Sequence, residues 1–239
     1  MEILASKYFY CYILIATIAY PLLQSFESKL QFYKKWKSLL PAILLCVIIH
    51  GSIDILFTSL GVWSFNPNYI FGIKIFYLPI EEWLWFIVTP YACVFIYEVL
   101  DYFFEDIKPL KIIFKLSLFF GIVLILIAAI YYNNLYTCFY FCLAALICFI
   151  AFYLKPIWWG NFIRTYLVSL LPFLVMNGLL TGSFTENPIV LYNPDHIIGY
   201  RILNIPVEDT VYSFVILAQV IASYEFLRKL FKKLSIKNN

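Results

Sequence analysis

The sequence predicts an all-α membrane protein: seven transmembrane helices, forming two parallel three-helix repeats plus a connecting helix. Three observations lead there. Of 239 residues, 64% are apolar and 13% charged, and the mean hydropathy is +0.87. A soluble domain needs far more polar surface to cover its core. Seven apolar runs are each long enough to cross about 30 Å of hydrocarbon. Finally, a stretch of the chain returns 127 positions later with its Pro, Gly, Asn and Glu positions kept.

The runs fall at 8–26, 39–60, 79–100, 112–132, 135–154, 164–183 and 206–227. Ahead of the first there is no basic start, and no small-residue cleavage site follows it, so it is expected to stay as a span. Only Asn133 and Asn134 separate the fourth and fifth, which marks a tight helical hairpin. Fourteen basic residues fall on one side, among them Lys29, Lys34, Lys35, Arg164 and Arg228, against Lys7, Lys74 and Arg201 on the other. This asymmetry predicts a multi-pass protein of the cell (inner) membrane with a cytoplasmic C-terminus. The net charge of +3 is sorted by side rather than gathered in one patch, so the bilayer is the expected partner and nucleic acid is not. The six cysteines lie inside spans without a Cys-x-x-Cys pair and read as small apolar residues.

The repeat lays 65–100 over 192–227 without a gap. Asn66-Pro67 meets Asn193-Pro194, Gly72 meets Gly199, and Lys74 meets Arg201. Leu78-Pro79-Ile80-Glu81-Glu82 meets Ile205-Pro206-Val207-Glu208-Asp209, and Tyr97-Glu98 meets Tyr224-Glu225. Chance similarity between apolar helices would match Leu and Ile instead. The same shift puts span one on five and two on six, leaving span four as connector. The expected units are 1–104, 105–134 and 135–239. Both copies then cross the membrane in the same sense, about a pseudo-two-fold along its normal.

Each acidic pair follows a proline that opens a span, where a missing N–H costs nothing and the helix dipole favours a carboxylate. Glu82 and Asp209 read equally as helix-capping acids or as functional groups. For Glu81 and Glu208 the functional reading is stronger, because ionisable groups at membrane depth usually face a bundle interior. One turn on, Trp85 and Tyr212 share their helix face and offer a cation-stabilising ring. His50 and Asp54 share a face of span two, and His50 is the nearest candidate partner for Asp54. The corresponding stretch of span six runs Asn177-Gly178-Leu179-Leu180-Thr181, where Asn177 suits a hydrogen bond between helices. His196 reads as a solvated loop residue, and Asp101, Glu105 and Asp106 as a solvated turn. The aromatic loops around Trp63 and Tyr192 either anchor in the interface or fold back over the bundle mouth. No dinucleotide fingerprint and no zinc spacing is present, so neither a cofactor nor a metal is expected.

Asp54, Gly61-Val62-Trp63-Ser64-Phe65, Gly72, the acidic motif at 78–82 and Tyr97-Glu98 resemble the first half of the non-flavin, membrane-integral lycopene cyclases. The stretch 177–181, Tyr192-Asn193, Arg201-Ile202 and the motif at 205–209 resemble the second half, so the chain is similar to the form in which both halves are fused. The resemblance implies a lipid-soluble carotenoid substrate and redox-neutral closure of ψ-ends to β-ionone rings without a cofactor. It further implies acid–base catalysis by Glu81 and Glu208, with Glu82, Asp209 and Asp54 supporting them. Trp63, Trp85, Tyr212, Asn177 and Tyr192 would contact substrate. Two other readings remain open: a small-molecule carrier with the same 3+1+3 plan, and a prenyl-transfer or pigment-binding protein whose acids only cap helices.

Overall fold

Seven helices carry the chain in the structure, a computed structural model that describes residues 6–104 and 111–237. They are α1 (Phe9–Gln24), α2 (Trp36–Ser59), α3 (Ile80–Phe103), α4 (Lys111–Ile130), α5 (Leu135–Leu154), α6 (Trp159–Leu180) and α7 (Val207–Lys237). Six of them are long and apolar enough to cross a membrane. The exception is α1, whose 16 residues span about 24 Å, short of the hydrocarbon thickness expected for a full span. It ends where the Glu27 carboxylate accepts the amides of Lys29 and Leu30 and turns the chain. In contrast, α7 runs on past 227 to Lys237, because Leu and Lys are good helix formers and C-terminal cations suit the dipole.

Six short strands form three two-stranded pairs among the described residues, where the sequence suggested only loops. β1 (Trp63–Phe65) pairs with β4 (Val190–Tyr192). β2 (Lys74–Ile75) pairs with β3 (Leu78–Pro79), and β5 (Arg201–Ile202) with β6 (Ile205–Pro206). In the β1–β4 ladder Trp63 faces Tyr192, Ser64 faces Leu191 and Phe65 faces Val190. Ser64 and Leu191 are also equivalent positions of the repeat, so the pseudo-two-fold passes between them.

The repeated Asn-Pro explains itself here. Asn66 N donates to Ile189 O (2.8 Å) and Asn193 N to Val62 O (2.9 Å), a reciprocal exchange between the copies. Their side-chain amides reach across to Pro188 O and Gly61 O, while their side-chain oxygens cap the turns that follow. Gly72 and Gly199 recur because each turn needs a positive φ, 88° and 93°.

Packing repeats as well. α1 lies on α3 and α5 on α7, whereas α2 lies on α7 and α6 on α3, so the second helix of each copy packs against the third helix of the other. α4 folds back on α5 in a hairpin, and its Ser117 hydroxyl accepts the Trp159 indole N–H of α6 at 2.9 Å. At the end opposite the ribbon, Tyr97 donates to Glu225 (3.0 Å) and Tyr224 to Glu98 (2.7 Å), crossing the same axis. Glu98 also pairs with Lys35 and Arg228. Asp101 is not simply solvated, since it holds Arg164 at 2.8 Å; Glu105 and Asp106 lie outside the described residues. The six cysteines are unpaired.

Candidate active site

Beneath the β1–β4 ribbon, the ribbon and the helices frame a small aromatic chamber. Three carboxyls from different helices line it: Asp54 of α2, Glu82 of α3 and Asp209 of α7. All three are buried. Burying acids is costly unless they are paired or used, and the three are supported unequally. Tyr10 donates to Glu82 (2.6 Å). Asp209 accepts from Tyr136 (2.7 Å), Asn177 (2.7 Å) and Tyr192 (2.9 Å). Oδ2 of Asp54 has no partner among the described residues, and neither nitrogen of His50 has one, so the expected His50–Asp54 pair does not form. The repeat places His50 opposite Asn177 and Asp54 opposite Thr181. Asp54 is therefore an acid without a twin.

Aromatic rings form the walls. Trp63 meets Tyr136 edge-on at 5.1 Å between centroids, Tyr136 stacks on Tyr192 at 6.0 Å, and Tyr10 leans on Trp85 at 6.4 Å. Behind them, Tyr140 contacts Tyr212 at 4.8 Å. The chamber is narrow, about 50 Å³. At Trp85, Phe173 and Tyr212 it adjoins a groove of about 460 Å³ between α1, α3, α6 and α7, and those three residues line both spaces. Among the described residues, no charged side chain lines the groove.

The first acid of each pair sits elsewhere. Glu81 accepts the amide of Phe71 (2.6 Å), and Glu208 accepts the amide of Ile198 (2.6 Å) and the Thr137 hydroxyl (2.7 Å). Phe71 and Ile198 are equivalent positions, so both acids tie the same loop onto the start of their own helix. Neither lines the chamber.

A profile described as lycopene cyclase matches residues 7–100 and again residues 133–227, one stretch for each copy. The chain belongs to the lycopene cyclase family. It is thus a multi-pass membrane cyclase whose substrate is a lipophilic carotenoid. No curated protein and no solved structure matches it.

Of the ten site residues that the cyclase sequence suggested, eight line one chamber: Asp54, Trp63, Glu82, Trp85, Asn177, Tyr192, Asp209 and Tyr212. Glu81 and Glu208 stand outside it. Of the three phenols that donate to Glu82 and Asp209, sequence reasoning found Tyr192 but missed Tyr10 and Tyr136. They are not equivalent under the shift, since Tyr10 meets Thr137 and Tyr136 meets Phe9, so a search for repeated residues passes over them. His196 is half-buried in the loop and is no part of the chamber.

Proposed function

We propose that this cyclase closes the linear ψ-ends of lycopene to β-ionone rings by proton transfer in the chamber beneath the ribbon. One observation carries the reading: three buried carboxyls contributed by both copies share a single aromatic chamber that adjoins an apolar groove. A carrier would need a polar path along several helices, and the groove offers none. The proposed orientation puts the lysine-rich end in the cytoplasm.

The reaction needs one proton in and one out. An acid adds a proton to C2 of the terminal C1=C2 bond, leaving a tertiary cation at C1. The C5=C6 bond attacks it, forming C1–C6 and moving the cation to C5. Loss of the proton from C6 restores C5=C6, so the product is an isomer of the substrate. Glu82 is our acid, with Asp54 beside it in the chamber. Carrying charge on both in a dry site is costly, which favours a proton retained between them. Asp209 is our base, because three convergent donors suit a carboxylate. The faces of Trp85, Tyr212 and Trp63 suit the passing cation. Since the chamber is narrow, entry of the chain end requires Trp85, Phe173 or Tyr212 to swing aside at its junction with the groove.

Expression in cells that accumulate lycopene tests this, with pigments resolved by chromatography. The wild type should yield β-ringed carotenoids, and in heavy water each closed ring should gain deuterium at C2. Glu82→Gln with Asp209→Asn should leave the red pigment unchanged. Full conversion by that double variant would remove the assignment.

A further inference from the structure

The ribbon borders a second space on its outer face. This vestibule measures about 370 Å³, and its polar lining includes Thr58, Ser64, Lys74 and Asn193. Ser64 and Lys74 are exposed, so it opens to water. Thr58 Oγ1 is buried without a partner among the described residues, which suits a bound water. Three side chains, Trp63, Phe65 and Tyr192, border both the vestibule and the chamber. A phenylalanine ring has no exchangeable proton and an indole N–H only donates, whereas a phenol both donates and accepts. The Tyr192 hydroxyl donates to Asp209 Oδ2 at 2.9 Å. Its equivalent in the first copy is Phe65, and Tyr10, the phenol on Glu82, does not border the vestibule. Asp209 therefore has a hydroxyl between it and the aqueous side, and Glu82 does not. On its other flank the chamber meets the apolar groove and then lipid, where no water relays protons.

We propose that Tyr192 is the proton port of the cyclase, the group through which Asp209 trades protons with water in the vestibule. This rests on the function proposed above. When a ring closes, Asp209 is left holding the proton from C6, while the Glu82–Asp54 pair lacks the proton given to C2. Passing the first proton straight across the chamber would restore both acids and shut solvent out. The port provides an exchange first. Asp209 hands its proton to the Tyr192 oxygen as the Tyr192 O–H proton moves to a vestibule water, and the reverse step brings a proton of that water in. At Tyr192 one O–H bond forms as another breaks, so the phenol ends as it began. The solvent proton then crosses to the Glu82–Asp54 pair. The chamber, about 50 Å³, has room for a water to carry it once the chain end has left. Protons enter and leave on the ribbon side, so no charge crosses the membrane.

Membranes holding the protein in heavy water would be given lycopene of natural isotopic composition, and the label at C2 of the closed rings read by mass spectrometry and NMR. Each closure delivers one protium from C6 into the chamber, so the label at C2 measures exchange between closures. Rings made by the wild type should carry deuterium at C2. Tyr192→Phe keeps the ring and removes the hydroxyl; it should close rings more slowly, with the label at C2 down to less than about half, because the C6 proton is now recycled. A slower enzyme with an intact port would show the opposite, since longer intervals between closures leave more time for exchange. Tyr136→Phe is the matched control. It removes another phenol from Asp209 (2.7 Å) but one that does not border the vestibule, so its rings should stay fully labelled. Protium at C2 in wild-type rings, full label in Tyr192→Phe, or an equal loss of label in Tyr136→Phe would overturn the proposal. In each of those cases rings still close. A wild type that leaves lycopene untouched would instead bring down the cyclase chemistry itself.

Discussion

Glu82 and Asp209 stand at equivalent positions of the two copies, yet Asp209 accepts three hydrogen bonds where Glu82 accepts one. The duplication supplied two acids, and their surroundings then diverged. Asn177 replaces what is His50 in the first copy, and Tyr192 replaces Phe65, so both extra donors of Asp209 belong to the second half alone. Such divergence suits a reaction that needs an acid at one step and a base at another.

If Asp209 is the base, Asp209→Asn should lower the closure rate about 100- to 10,000-fold. Tyr192→Phe removes one of its three donors and should cost only about tenfold, the scale of one hydrogen bond to a charged group. Pigment formation at matched protein levels would check the ranking. Equal losses in the two variants would mean that Tyr192 acts directly on the substrate.

Glu81 and Glu208 should behave differently. Each accepts a loop amide at the start of its helix, and a Gln oxygen accepts the same bond. Glu81→Gln and Glu208→Gln should therefore keep most of the activity. Glu81→Ala strands the Phe71 amide and should lower stability by about 1–3 kcal/mol, seen as earlier thermal unfolding in detergent. Loss of all activity in a well-folded Glu81→Gln protein would return that residue to the chemistry.

The limits of sequence reading follow from these same residues. Pro, Gly and Asn recur in both copies because backbone geometry demands them, so the repeat and the bundle plan were legible. The acids were legible as pairs. Which member of each pair faces the chamber was not, because adjacent residues on a helix point about 100° apart and nothing in an apolar sequence fixes that rotation. The ribbon was hidden for a related reason: three-residue strands such as Trp63–Phe65 carry too few positions for an alternation to register.

At the lysine-rich end, Tyr97→Phe and Tyr224→Phe should each cost about 1–2 kcal/mol, as each removes a bond to a buried carboxylate of the other copy. Arg228 serves both Glu98 and Glu225. Arg228→Met leaves those two acids near one another, with Lys35 on Glu98. Its side chain is 46% exposed, so solvent softens the loss to about 2 kcal/mol, below the 3–5 kcal/mol of a fully buried pair. Thermal unfolding of the three variants gives the comparison. A loss for Arg228→Met smaller than for either tyrosine would show the acids neutral in the fold.

The β2–β3 hairpin offers the last test. Its two-residue turn is Phe76-Tyr77, and both residues take positive φ, 48° and 72°. A turn of this kind favours Asn-Gly, and a bulky residue in that region costs about 1–3 kcal/mol. Both rings are nonetheless exposed, 72% and 67%, at the end of the bundle where aromatic side chains settle among lipid headgroups. Interfacial anchoring offsets the strain on this view. Phe76→Asn with Tyr77→Gly should then raise thermal stability in detergent by about 1–2 kcal/mol, by relieving the backbone. In lipid vesicles the same variant should lose that gain, because the anchors are gone. An equal gain in both media would show that the rings do nothing for the membrane and that the strained turn has some other purpose.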